Sequence, residues 1–194
     1  GFGKEEFTAL GNVALATGRD LGKTMRNITQ LSYAAAKETG VTRIKIAKDM
    51  AVIMDQMEVF GSVGEEQAMV ISAKMRSLGM DFKSLGKMID KFMNFDSAAE
   101  SAAMLGQAFG MALNPMEMMQ GAAGDQVKML ETMRKQFFAT GKDVNDLNAA
   151  EMKLLMQSTN LSAEEARLMF SMKNRGKSAK SLRNAAKSQM SDQA

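Results

Sequence analysis

Signals that start and stop α-helices recur along this chain, and signals for β-strands hardly occur. Ser62-x-x-Glu65, Ser97-x-x-Glu100 and Ser162-x-x-Glu165 have the capping-box pattern. In that pattern a hydroxyl serves a free N–H of the first turn, and the acid three residues on serves the N–H of the cap itself. Asn114-Pro115 places an N-cap before the residue preferred at the first helical position. Asp81 and Asp125 stand where a short carboxylate caps the helix that follows. Gly40, Gly79, Gly124 and Gly141 fall where helices should stop. The chain has one Pro, and its β-branched residues are scattered instead of alternating. The expected fold class is all-α: about seven to eight short-to-medium helices in an irregular bundle, with a lead-in helix and a basic C-terminal tail.

Apolar periodicity points the same way. Ile46, Met50, Ile53, Met57 and Phe60 are spaced by four, three, four and three, the seam of one helix. Ile44, Ala47, Ala51 and Met54 form a second seam beside it, which predicts burial over a wide face. Ala68, Ile71, Met75 and Leu78 make the next, and Phe82, Leu85, Met88, Ile89 and Phe92 another. Val127, Leu130, Phe137 and Phe138 mark a helix after Asp125; Leu147, Ala150 and Leu154 mark one after Gly141; Leu168, Met169 and Met172 mark a short last one. Short loops between such helices favour antiparallel neighbours. No seam outlasts about two heptads, so a long coiled coil is not expected, and no fixed repeat period emerges. Three segments follow: a lead-in helical segment 1–40, weakened by Gly11, Gly18 and Gly22; a compact helical domain 41–172; and a basic tail 173–194.

Composition narrows the chemistry. Among 194 residues there is no Cys, His or Trp, and one Tyr. That removes disulfides, thiolate ligands, the commonest general base and any Ser-His-Asp triad. Neither a catalytic residue, a cofactor-binding residue nor a metal ligand is expected, and the chain reads as no enzyme. The 21 Met are the anomaly. Met fills irregular gaps in helical cores, and it also lines surfaces that repack against partners. The start carries Lys4, Glu5 and Glu6 where a signal peptide would have a basic and then an apolar region. The longest uncharged window, 101–116, is short of the roughly 20 residues of a spanning helix, so no membrane segment is expected.

Motifs that suggest chemistry fail on inspection. Gly22-Lys23-Thr24 lacks the phosphate-loop glycine, since position 17 is Thr and Gly18 is one residue out of place. Gly176-Lys177-Ser178 has Ser171 there instead. The stretch from Asp143 to Leu147 lacks the calcium-loop Gly and closing Glu, so Asp143 reads as a helix cap. Glu5-Glu6, Glu65-Glu66 and Glu164-Glu165 sit in first turns, where acids oppose the helix dipole favourably. The tail carries Lys173, Arg175, Lys177, Lys180, Arg183 and Lys187 with no acid through residue 188, and without these six charges the net +3 becomes −3. They are the candidate electrostatic contacts, for which non-specific DNA contact is one use.

The stretch 101–119 carries no charge before Glu117 and holds Gly106-x-x-x-Gly110. Glycines four apart share one helical face and permit close backbone approach. The spacing predicts a helix capped at Ser97, packed through Gly106 and Gly110, and ending before Asn114-Pro115. Whether the contact lies within one chain or between copies is open at this point. Phe92, Phe95, Gly106, Phe109, Gly110 and Pro115 are the candidate helix-contact residues.

Residues 92–170 carry a resemblance. Its elements are the run from Phe92 to Ala99, the run from Leu105 to Gly110, the run from Leu113 to Met119, the run from Gly141 to Leu147, and the run from Leu161 to Ala166. Together they resemble a recurrent segment of the tail tape measure proteins of tailed bacteriophages, over about two-fifths of the chain. The resemblance implies a structural virion component, made in the host cytoplasm and present as several parallel copies. In that family it sets tail tube length, occupies the lumen or baseplate hub, and leaves ahead of the DNA on ejection. Implied partners are other copies of itself and tail tube or hub proteins. The alternative is a helical protein-binding adaptor with a Met-rich groove for partner peptides.

Overall fold

The computed structural model describes residues 2–174 and 178–191. In chain order the helices are α1 (Lys4–Thr17), α2 (Leu21–Thr39), α3 (Arg43–Asp55), α4 (Met57–Phe60), α5 (Glu65–Ser77), α6 (Phe82–Phe92), α7 (Phe95–Phe109), α8 (Pro115–Ala123), α9 (Gln126–Ala139), α10 (Ala149–Thr159), α11 (Ala163–Phe170) and α12 (Ala179–Ser191). A 3-10 turn, Val144–Asp146, precedes α10. Among the described residues there are no strands, so the all-α class holds. Seven or eight helices was too few. The lead-in segment is two helices: α1 stops at Gly18, and the Asp20 carboxylate starts α2 by accepting from the Lys23 N–H. The first predicted seam is broken at Gln56, which separates α3 from the single turn α4.

The chain forms two compact units, Gly1–Ser77 with Gly176–Ala194, and Leu78–Arg175. Their boundaries cut across the expected segments 1–40, 41–172 and 173–194. In the first unit α3 packs against α1, α2 and α5. Every residue of α5 from Ala68 to Met75 is buried, so this helix is enclosed all round and the four-residue seam understated it. Asp49 of α3, also buried, accepts the fork of Arg76 at 2.7 and 2.8 Å and the Ser72 hydroxyl at 2.9 Å, which joins α3 to α5. Ile44, expected in the second seam, is 51% exposed. It sits in the first turn of α3, outside the run of buried residues from Ile46 to Met54. Part of the segment read as a tail is α12, which packs on α2 and α5. Its buried Ala179, Leu182 and Ala186 have the spacing of a core-facing stripe beneath the charges.

In the second unit α7 packs against α8 and α10, α8 against α6 and α9, and α9 against α11. Phe82, Leu85, Met88, Ile89 and Phe92 are all buried along one face of α6, as the spacing predicted. Phe137 is the aromatic centre, 4.8 Å from Phe170 and 5.9 Å from Phe109 between ring centroids. The α10 seam differs from the predicted Leu147, Ala150 and Leu154. Asn148 caps α10, with Glu151 completing a capping box, and Met152, Leu155, Ser158 and Thr159 are buried instead. In α11 the buried set is Ala166, Met169 and Phe170, and Met172 lies beyond the helix, exposed.

The caps divide by local competition. Ser162 with Glu165, Asn114 before Pro115, Asp81, Asp125 and Asp143 cap as expected. Ser97 does not: Asn94, three residues earlier, accepts from the Asp96 N–H and starts α7, leaving Ser97 inside the helix with its hydroxyl donating to the Lys91 carbonyl. Ser62 does not cap either, because α5 opens at Glu65 and its first carbonyl is that of Gly64.

Candidate functional site

The candidate contact residues fall into three situations. Phe92 and Phe109 are buried, and Phe109 joins the Phe137 cluster. Phe95 is the first residue of α7 and is 48% exposed. Pro115 is the first residue of α8, where its missing N–H costs nothing. Gly106 and Gly110 do not form a packing face. Gly110 ends α7 in the left-handed region at φ 76°, with its N–H donating to the Gly106 carbonyl and that of Met111 to the Leu105 carbonyl. Only glycine adopts this conformation freely, so position 110 is a stop. A Cβ on Gly106 would meet the Met111 carbonyl oxygen at 3.4 Å, an ordinary contact with the chain's own turn. The face α7 buries is Ala98, Ser101, Ala102, Leu105 and Phe109. Within this chain α7 rests on α8 and α10.

A glycine that does permit close helix approach is Gly121, on α8. A Cβ there would lie 2.8 Å from the Met129 Cβ and 3.4 Å from its Cα, on α9. The pattern gave no cue: the nearest glycine is Gly124, the cap that ends α8.

Besides the Lys142–Glu151 ion pair at 2.7 Å, charge joins distant segments at two places in this unit. Arg134 is buried, and its guanidinium donates to the carbonyls of Met169 and Asn174 at 2.6 Å each. The guanidinium carbon also stands 5.2 Å from the Phe138 ring centroid. Burial pushes its pKa down to about 10, opposed by nearby Glu131, so it stays charged at neutral pH. Asn174 in turn donates to the carbonyls of Leu78 and Leu168, which ties the two ends of the unit together. The second place is Glu165. Burial raises its pKa, but N–H and hydroxyl donors from Ser162, the Ser84 hydroxyl and the Lys87 ammonium outweigh that and hold it at about 2. Sequence reasoning saw Glu165 only as the far end of a capping box, because Ser84 and Lys87 are some eighty residues away.

In the first unit a groove of about 160 Å³ is lined by Phe2, Thr29, Ser32, Arg43, Ile44, Ala47 and Lys48. Lys48 is committed to the buried Glu6 at 3.0 Å. The Glu6 pKa is lowered, first by the Lys48 hydrogen bond, which outweighs burial. The groove is an apolar slot with cationic edges, and it does not hold an acid facing a base. Among the described residues no group of three or more His, Cys, Asp or Glu could hold a metal ion, and no helix is long and apolar enough to cross a membrane.

Of the candidate electrostatic contacts, Lys173, Lys180 and Lys187 are exposed and Arg183 is half-buried. Arg175 and Lys177 lie outside the described residues. No protein-family model, curated protein or solved structure matches the chain.

Proposed function

We propose that this chain is a segment of a tail tape measure protein of a tailed bacteriophage, a non-enzymatic virion component that acts by helical packing. The resemblance across residues 92–170 carries this reading. It is supported by a second unit of six α-helices among the described residues, joined by short, well-capped loops. A tape measure acts through length and helix contacts, so its role is spread over the whole packing surface. The segment belongs near an end of the parent protein, by the baseplate hub, because an irregular bundle of short helices packs where a continuous extended helix would instead run along the lumen. Its partners are other copies of itself and tail tube or hub proteins, with DNA contact through the basic residues of the C-terminal region.

Mass spectrometry of purified virions tests this. The parent chain should be recovered from isolated tails at several copies each, and its absence from tails would overturn the reading. A second reading, a helical adaptor, is favoured by Met93, Met116 and Met172, which are 47%, 44% and 43% exposed and available for a partner's apolar side chains. A gene outside any tail cluster and a recovered partner peptide would support it.

A further inference from the structure

The outward face of α2 differs from an ordinary solvated helix face. Lys23, Arg26, Gln30, Tyr33 and Lys37 are spaced by three, four, three and four, so they form one stripe opposite the buried Thr24, Ile28, Leu31 and Ala35. Lys23, Arg26 and Lys37 are exposed, and Tyr33, the one Tyr of the chain, is 57% exposed. No acid lies on the stripe. The acid that caps α2, Asp20, and the one acid within it, Glu38, are engaged elsewhere: Asp20 accepts from the Lys23 N–H, and Glu38 accepts from the Ser181 hydroxyl of α12 at 3.3 Å. α12 itself packs on α2. Lys180 and Lys187 are exposed on α12, two helical turns apart and away from its buried face. One turn before Tyr33, a shallow depression of about 240 Å³ is bounded by Met25, Arg26, Thr29 and Gln30.

We infer that this face binds single-stranded nucleic acid, with Tyr33 as a stacking platform and the cations along the phosphate backbone. From Lys23 to Lys37 the stripe runs about 21 Å at 1.5 Å per residue, room for several nucleotides of extended strand. A lone exposed ring flanked by cations suits unpaired bases, because a base within a duplex hides the surface that would stack. The inference does not rest on the tail reading, since an oligonucleotide titration needs only this chain; failure of either experiment leaves the other intact.

The test is fluorescence anisotropy of a labelled twelve-nucleotide oligo-dT with the whole chain, from 50 to 300 mM NaCl. Three to five neutralised phosphates predict a slope of log affinity against log salt of about −2 to −3.5. Tyr33→Ala should weaken binding at least about fivefold with the slope unchanged, whereas Tyr33→Phe, which keeps the ring, should hold affinity within about twofold. The Lys23→Ala/Lys37→Ala pair should make the slope shallower by about 1.4. All these positions are exposed, and circular dichroism checks that each variant retains its helices. Absence of binding at 50 mM salt overturns the inference. So does indifference to Tyr33→Ala, or a duplex of equal length binding as tightly.

Discussion

Replacing Gly121 by Ala separates two accounts of how the helices of the second unit approach one another. The new Cβ would sit 2.8 Å from the Met129 Cβ, which is fixed to the backbone of α9. Carbon atoms prefer about 3.5–4.0 Å, so α8 and α9 must part by several tenths of an ångström or more. Overpacking of this kind costs about 1–3 kcal/mol. Exchanging a helical Gly for Ala returns about 1 kcal/mol. The net expectation is a loss of about 1 kcal/mol. Gly106→Ala is the control. Its Cβ meets only the Met111 carbonyl oxygen at 3.4 Å, so the gain in helix propensity is largely kept and the variant should be neutral or more stable by up to about 1 kcal/mol. The two variants thus differ by about 1–2 kcal/mol, or about 4–15 °C in melting temperature for a unit of roughly a hundred residues. Thermal unfolding followed by circular dichroism measures this directly. If Gly106→Ala lost as much stability as Gly121→Ala, the close contact would belong to the 106/110 pair after all and the reasoning would fail.

Two further predictions concern the same unit. Phe137→Ala removes the ring shared by Phe109 and Phe170 at a fully buried position, and urea unfolding should show a loss of about 3–5 kcal/mol; a loss under about 1 kcal/mol would refute the central role of that ring. Glu165 predicts an acid limb. Its folded pKa lies below the unfolded value, so its contribution is fully present above pH 4.5 and is lost as pH falls through about 2. A shift from 4.5 to about 2 corresponds to at most about 3 kcal/mol, and solvent screening of this partly open side chain reduces that to about 1–2 kcal/mol. In Glu165→Gln, stability should fall less steeply between pH 4.5 and 2 than in the parent, and identical slopes would count against the Ser84–Lys87–Ser162 network.

The helices were legible where one signal dominated. The α6 stripe Phe82, Leu85, Met88, Ile89 and Phe92 is apolar throughout, and Asn114-Pro115 offers no competing cap, so both read correctly. Signals went astray where two candidates stood close together. Asn94 and Ser97 both can cap, and the earlier one starts α7. Asp143 and Asn148 each start an element, and the 3-10 turn between them moves the buried face of α10 from Ala150 and Leu154 to Met152 and Leu155. The Gly106 and Gly110 spacing fits a packing face and a helix stop equally well. What decides is the backbone sign at Gly110, which spacing does not carry. Long-range contacts left no trace in local pattern at all: Arg134 on the Met169 and Asn174 carbonyls, Glu165 on Ser84 and Lys87, and Asp49 on Arg76 each join residues 27 to 81 positions apart. The burial of α12 was legible in Ala179, Leu182 and Ala186, but the density of Lys and Arg around them read as a solvated tail.

The tape measure reading is tested most directly by tail length. An in-frame deletion of a helical block from the middle of the parent chain should give virions whose tails, measured by electron microscopy, are shorter by about 1.5 Å for each residue removed. Tails of unchanged length, in particles that still contain the shortened chain, would contradict it.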